Sequence, residues 1–221
     1  MGTPGSGKLL LKWPGVQLSA HPAFSSYSGA ILETVSLGVQ FGAVLAAART
    51  GAEWALAALY REFHPALLRY LRAQEPNDGE DLVSEMWLDA VAGLDRFQGD
   101  EWAFRRWLFT IARRRLIDHR RRQKRLRRAA TSLDAFDQRP GDDDTEAAVL
   151  AANETEAALA RIAALPPVQA EVVLLRVLAG FEVADVAEIV GKKPGAVRVL
   201  QHRALQRLAE QLSRDGRPVT R

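Results

Sequence analysis

From Glu53 onward apolar residues recur every three or four positions. Trp54, Leu56, Leu59, Tyr60, Phe63, Leu67, Leu68 and Leu71 fall on one face, which predicts an amphipathic helix with a bend at Pro65. The turn-forming run Pro76-Asn77-Asp78-Gly79 closes it. A second helix is expected over 80–94, with Leu82, Val83, Met86, Val91 and Leu94 inward and Asp81, Glu85 and Asp89 outward. After the loop Phe97-Gln98-Gly99-Asp100, a long helix should run from Glu101 to Arg128, burying Phe104, Trp107, Leu108, Ile111 and Ala112 in its first half. Its second half is nearly all arginine. A further helix is expected over 155–164, ended by Leu165-Pro166-Pro167, and another over 168–178.

The sharpest pattern lies between Glu171 and Leu212 and reads as a helix-turn-helix. Val183 to Val190 is a short amphipathic helix with Val186, Ala187 and Val190 on one face, stopped by Gly191 in a left-handed position. Lys192 and Lys193 then precede Pro194, which suits the first turn of a new helix because its missing N–H would be unpaired there. Val197, Leu200, Ala204, Leu205 and Leu208 form that helix's buried stripe. Arg198, Val199, His202 and Gln206 project from the opposite side, with Arg203 on the flank. Such a helix can enter a major groove, where Arg pairs bidentately with guanine and Gln with adenine. An ordinary helical hairpin with a solvated basic face stays open on this segment alone.

The first 50 residues share little of this order. Gly2 to Lys8 satisfies part of a phosphate-binding loop, but Leu9 stands where a magnesium-holding Ser or Thr belongs and no strand precedes Gly2. Ala30 to Ala48 is apolar enough to raise a signal peptide or membrane anchor. Glu33 and Gln40 interrupt it, and Gly38 and Gly42 weaken a helix, so no stable membrane insertion is expected. The expectation for residues 1–50 is a poorly ordered extension.

Composition adds a sorting of charge. The 221 residues are 48% hydrophobic and 26% charged, with a net charge of only +3, as in soluble globular proteins. Yet Arg113 to Arg128 holds ten basic residues against Asp118, and Asp134 to Glu156 holds eight acidic ones against Arg139. A basic block followed by an acidic one implies a polyanion-binding surface and a flexible tether. Residues 129–152 are read as that linker, dividing a first domain at 51–128 from a second at 153–213, with a tail at 214–221. Fully extended, it reaches about 80 Å at 3.3 Å per residue, enough to set two DNA-binding modules roughly two helical turns, or 70 Å, apart.

Chemistry is constrained mostly by what is missing from the sequence. Without cysteine there is no disulfide framework, zinc finger or thiol nucleophile. His21, His64, His119 and His202 are scattered, and no Ser-His-Asp or paired-carboxylate arrangement stands out. No catalytic residue, cofactor or metal is therefore expected. Aromatics beside the arginine run suit melting DNA, because bases stack on rings while guanidinium groups hold phosphates. For Phe104 and Trp107 a place in the core is the better expectation.

Four segments in order resemble the extracytoplasmic-function (ECF) sigma factors of the sigma-70 family, over roughly residues 53–212. GEDLVSEMWLDAVAGLDRF is similar to the helix that grips the polymerase β′ clamp. The resemblance implies polymerase contacts at Asp81, Ser84, Glu85 and Leu88. AFRRWLFTIARRRLIDHRRR is similar to the segment that opens and reads the downstream promoter element, implying DNA contacts at Arg113, Arg114, His119, Arg120 and Arg121. LPPVQAEVVLLRVLAGFEVADVAEIVG is similar to the start of the second domain, although Glu182 and Lys193 sit where Ser or Thr caps are frequent, which predicts looser helix starts. PGAVRVLQHRALQRL is similar to the recognition helix for the upstream element, implying contacts at Arg198, Val199, His202, Arg203 and Gln206.

The fold implied is all-α, with two small helical domains joined by the acidic linker. The implied partners are core RNA polymerase, through its β and β′ subunits, and promoter DNA, with an anti-sigma factor left open; the compartment is the cytoplasm. The rival is a stand-alone helix-turn-helix regulator that binds paired half-sites without polymerase.

Overall fold

The computed structural model describes residues 12–13, 16–17, 37–130 and 157–214. The phosphate-loop-like stretch at 2–8 and nearly all of the acidic linker lie outside the described residues. Apart from an antiparallel pairing of β1 (Lys12–Trp13) with β2 (Val16–Gln17), the regular structure described is helical.

Helices α2 (Glu53–Arg72), α3 (Gly79–Gly93) and α4 (Glu101–Ala130) build the first domain. Their apolar faces meet where the spacing places them: Leu59, Phe63, Leu67 and Leu71 of α2, Leu82, Val83 and Met86 of α3, and Phe104, Leu108, Phe109, Ala112 and Leu116 of α4 are all buried. Phe104 is the hub, with ring centroids 5.3 Å from Phe63, 5.0 Å from Phe97 and 5.4 Å from Trp107. Pro65 sits inside a continuous α2. Trp54, expected on the buried face, is 60% exposed because it lies in the first turn of α2, at the edge of the packed layer. Gly79 opens α3 where a Cβ would come within 2.9 Å of the Arg72 backbone, so the α2–α3 turn is tight against the end of α2.

The domain begins earlier than expected. A single 3-10 turn (Gly38–Gln40) leads into α1 (Phe41–Arg49), which buries Phe41, Val44, Leu45 and Ala48 against the core. The Phe41 ring lies 5.4 Å from Phe104. The Glu101 carboxylate accepts the Leu37 N–H at 2.9 Å and the Gly38 N–H at 2.7 Å, and the Arg49 guanidinium donates to the carbonyls of Leu94 and Phe97. The extension expected through residue 50 therefore ends no later than Leu37. Of the apolar run that resembled an anchor, the part from Phe41 to Ala48 forms a short helix with its inner face buried.

The second domain comprises a helix over 157–163 (α5), α6 (Pro167–Val177), α7 (Val183–Val190) and α8 (Pro194–Arg214). The turn is as the sequence implies. Gly191 caps α7 at φ 64°, and Pro194 starts α8. The looser start expected for α7 is not seen, because Asp185 and Glu182 form a capping box in which the Asp185 carboxylate accepts the Glu182 N–H at 3.3 Å.

The middle of α6 is buried all round, from Gln169 to Leu175, including Glu171. A helix enclosed on every side needs neighbours on every side. Helices α7 and α8 supply one flank and the first domain the other. Phe181, wholly buried in the α6–α7 loop, sits against Phe109 at 5.1 Å and Trp102 at 5.3 Å, both on α4. The two domains are docked, and α4 packs directly on α7.

Candidate nucleic-acid interface

Helix α8 is anchored by Val197 and Ala204, both 0% exposed, with Leu200 and Leu208 half-buried against the core. Leu205, expected in the same stripe, is 49% exposed. It stands one helical step beyond Ala204 and falls outside the strip that α6 and α7 can cover. On the other side Arg198, Val199, His202, Arg203 and Gln206 are all exposed. No other described residue forms a hydrogen bond or ion pair with the Arg198, His202, Arg203 or Gln206 side chains. The fold thus presents a row of unspent donors on a rigid support, the arrangement that base and phosphate contacts require.

Helix α4 divides its cations among three directions. Arg114 and Arg121 are exposed, Arg121 with only a loose 3.6 Å approach to Asp118 in the same helix. Arg113 turns toward the second domain and donates to Glu171 at 2.6 Å. His119 and Arg120 turn toward the α2–α3 turn, where Arg120 donates to Glu75 at 2.6 Å and His119 Nε2 lies 3.3 Å from Asp78. That approach does not form a hydrogen bond. In this arrangement His119 keeps only 13% of its side chain exposed, and Arg120 is held by a carboxylate. Glu75, Asp78 and His119 come close enough to share a cation, a grouping that the sequence spacing did not reveal. With Arg120 already on Glu75, the cluster reads as an ion-paired clamp.

On α3, Asp81, Ser84 and Leu88 are exposed, Leu88 by 41%. The Ser84 hydroxyl donates to the Glu80 carbonyl at 2.9 Å. Glu85 is engaged: Arg115 reaches it at 3.2 Å and also pairs with Asp89, and its hydrogen bond to Asp89 raises the guanidinium pKa further above its usual value. Of the three outward acids expected on this helix, only Asp81 is left without a partner among the described residues.

The residues missed in the sequence line the domain seam. Trp102 Nε1 donates to Asp185 at 3.2 Å, Arg106 pairs with Asp185 at 2.9 Å and Glu188 at 3.3 Å, and the Tyr70 hydroxyl donates to Glu171 at 3.2 Å. Burial and the neighbouring Glu171 charge push the Tyr70 pKa up, so it stays a protonated donor. One signal was present: Glu171 is a carboxylate inside the apolar run 168–178, a position that demands a buried partner.

Comparison with known proteins follows the same division. The family described as Sigma-70 region 2 matches residues 59–126, and that described as Sigma-70, region 4 matches residues 155–208. The chain is 33% identical over 199 residues to the ECF RNA polymerase sigma factor BldN of Streptomyces coelicolor, covering 89% of this chain and 71% of that protein. It is 33% identical over 176 residues to ShbA of Streptomyces griseus, covering 76% and 92%, and 30% identical over 186 residues to SigD of Mycobacterium tuberculosis, covering 81% and 87%. Among solved structures, the sigma factor RpoE of Bartonella quintana, in complex with the anti-sigma factor NepR, superposes with a TM-score of 0.58 at 23% identity over 71% of this chain and 96% of that one. CnrH, in complex with the cytosolic domain of CnrY, gives 0.56 at 23% identity over 78% and 97%. These two carry the fold alone. With both family regions matched in order and relatives of this similarity along most of its length, the chain belongs to the sigma-70 family as an ECF RNA polymerase sigma factor, a protein that directs promoter-specific transcription.

Proposed function

We propose that the protein binds core RNA polymerase through α3 and reads two promoter elements through α4 and α8. The observation that carries the reading is the exposed polar face of α8, without side-chain partners among the described residues, opposite its buried Val197 and Ala204. Arg198, His202, Arg203 and Gln206 are assigned to the upstream element, with Val199 making apolar contact. Arg114 and Arg121 are assigned to the downstream element, joined by Arg113 once it leaves Glu171. His119 and Arg120 act at one remove, holding the basic end of α4 to the α2–α3 turn.

On α3, Asp81, Ser84 and Leu88 form the proposed docking surface for the polymerase β′ subunit, with Glu85 and Asp89 fixed beside them by Arg115. The β subunit is the proposed contact of the second domain. An anti-sigma factor is a third proposed partner, suggested by the NepR complex of the Bartonella relative. This function belongs where polymerase and chromosome are, in the cytoplasm; among the described residues no helix is long and apolar enough to cross a membrane.

Transcription in vitro with purified core polymerase on fragments of the source genome tests the reading. The expected result is initiation at a small set of sites only when this protein is added. Tight, polymerase-independent protection of DNA with no initiation would overturn it.

A further inference from the structure

Helix α4 reaches well past the core that holds it. Leu116 is its last buried residue among those described, yet the helix continues to Ala130. Arg114, Arg121, Arg125 and Arg128 are all exposed. At about 100° and 1.5 Å per residue they fall within about 60° of one another, along about 21 Å of helix. A stripe of cations serves a nucleic acid only when it is turned toward it. Apolar packing ends at Leu116, so polar contacts set the roll of the outer half.

Those contacts lie on two flanks. Arg115 and Arg120 stand about 140° apart around the α4 axis. Arg120 donates to Glu75 at 2.6 Å and to the Gln74 carbonyl at 3.2 Å, both in the α2–α3 turn. Arg115 reaches α3 itself. Its Nε donates to one Asp89 oxygen at 2.5 Å, its Nη2 donates to the other, and its Nη1 donates to Glu85 at 3.2 Å. A planar guanidinium that holds both oxygens of one carboxylate restrains orientation as well as distance. The three side chains are 30–43% exposed, so their pairing contributes little to folding.

We propose that Arg115 is a positioning residue: it fixes the rotation of the exposed arginine face of α4 against α3, the helix assigned to polymerase docking. The proposal rests on the assignments of α3 and α4 made above and deepens them. With α3 held on polymerase, the interlock turns Arg114, its neighbour in α4, and the stripe beyond it toward one line of phosphates. Arg115 spends three donors on α3 and acts through Arg114 rather than on DNA.

The sign of one substitution separates this role from a direct DNA contact. Asp89→Asn removes an anion near the arginine stripe and loosens Arg115, so charge alone predicts tighter binding to DNA. Positioning predicts the opposite. With full-length protein saturating core polymerase, the Asp89→Asn holoenzyme should bind promoter DNA about tenfold more weakly than wild type, the loss of about one well-placed contact. Arg115→Lys keeps the charge and loses the fork, and it should show the same loss. The double variant should be no worse than either single one, because both break one interaction. Affinity for core polymerase, titrated separately, should stay within about twofold of wild type.

Unchanged or tighter promoter binding by Asp89→Asn overturns the proposal, as do losses that simply add in the double variant. A loss confined to core-polymerase affinity also overturns it and moves Asp89 and Arg115 into the docking surface. If Asp89→Asn loses helix content, Arg115→Lys decides, and unchanged promoter binding by that variant refutes the interlock. Wild-type holoenzyme separates the two levels of the claim. Initiation by wild type with variants that equal it removes the interlock alone, whereas no initiation by wild type removes the promoter-reading assignment and the interlock with it.

Discussion

Arg113 Nε donates to the Glu171 carboxylate at 2.6 Å across 58 residues of sequence, and the Tyr70 hydroxyl reaches the same carboxylate oxygen at 3.2 Å. Three elements, α2, α4 and α6, thus converge on one buried acid. Helix α4 consequently has two roles by position along its length. Its first half carries the core residues and the seam, and its last turns, beyond Arg120, carry exposed cations. The boundary between them is the stretch assigned to the downstream promoter element.

The N-terminal limit of the first domain is open to truncation. Deletion of residues 1–36 should leave thermal stability and promoter-directed transcription near wild type, because the described contacts with the helical core begin at Leu37. Deletion through Thr50 removes Phe41, Val44, Leu45 and Ala48 and uncovers Phe104. A loss of about 3 kcal/mol or more is expected, since burying each large apolar side chain contributes about 1.5–3 kcal/mol. Thermal melts of the two truncations check this, and equal stability would return α1 to a dispensable extension.

His64 makes stability depend on pH. Burial first, and then the Arg72 charge, lower its pKa from 6.5 to about 4, with Glu80 acting weakly the other way. Between those values the unfolded chain binds a proton that the folded chain does not, so this contribution is present above the unfolded pKa and declines as pH falls through the window. Going from near neutrality to about pH 5 should cost roughly 2 kcal/mol from this group. Urea denaturation of wild type and His64→Gln at both pH values gives the difference, and parallel pH dependence in the two proteins would exclude His64 as its source.

Arg198 is exposed at the start of α8, away from the stripe that fixes the helix. Arg198→Ala should weaken use of the cognate promoter without changing the melting temperature. A base contact relaxes preference at one promoter position by about 1–3 kcal/mol, whereas a phosphate contact weakens all sequences alike and lowers the salt slope by about one unit. Binding titrations at several salt concentrations on matched and mutated promoters distinguish the two. An unchanged result in both measures places Arg198 on a merely solvated face.

For the polymerase surface the structure selects a cleaner variant than reversal of every outward acid. Glu85→Lys would set a cation against Arg115, which already lies 3.2 Å from Glu85, and would disturb the α3–α4 clamp. Asp81→Lys with Leu88→Ala touches only exposed side chains. Folding should be little affected, as exposed charges contribute about 0–1 kcal/mol, while a like charge in a complementary interface costs several kcal/mol. Core-polymerase pull-down should drop by at least about tenfold, and wild-type retention would move the docking surface off α3.

What the sequence by itself determined is local. The helix-turn-helix follows from features within a few residues of one another: the 3.6-residue recurrence of Val186, Val190, Val197 and Ala204, a glycine able to take φ 64° at 191, and a proline where a helix can begin. Phe104 and Leu108 were legible as core for the same reason. The tertiary structure decided what depends on partners far away in the chain. An arginine reads the same in sequence whether it faces solvent, as Arg114 does, or a buried carboxylate, as Arg113 does. Periodicity assigns a face but not its neighbour, so Trp54 and Leu205 fell at helix edges left exposed among the described residues, and the apolar stretch from Phe41 to Ala48 found its neighbour in Phe104. Charge pairing and burial act between surfaces brought together only by the fold, so the seam through Glu171, Asp185 and Phe181 exists in no single stretch of the chain.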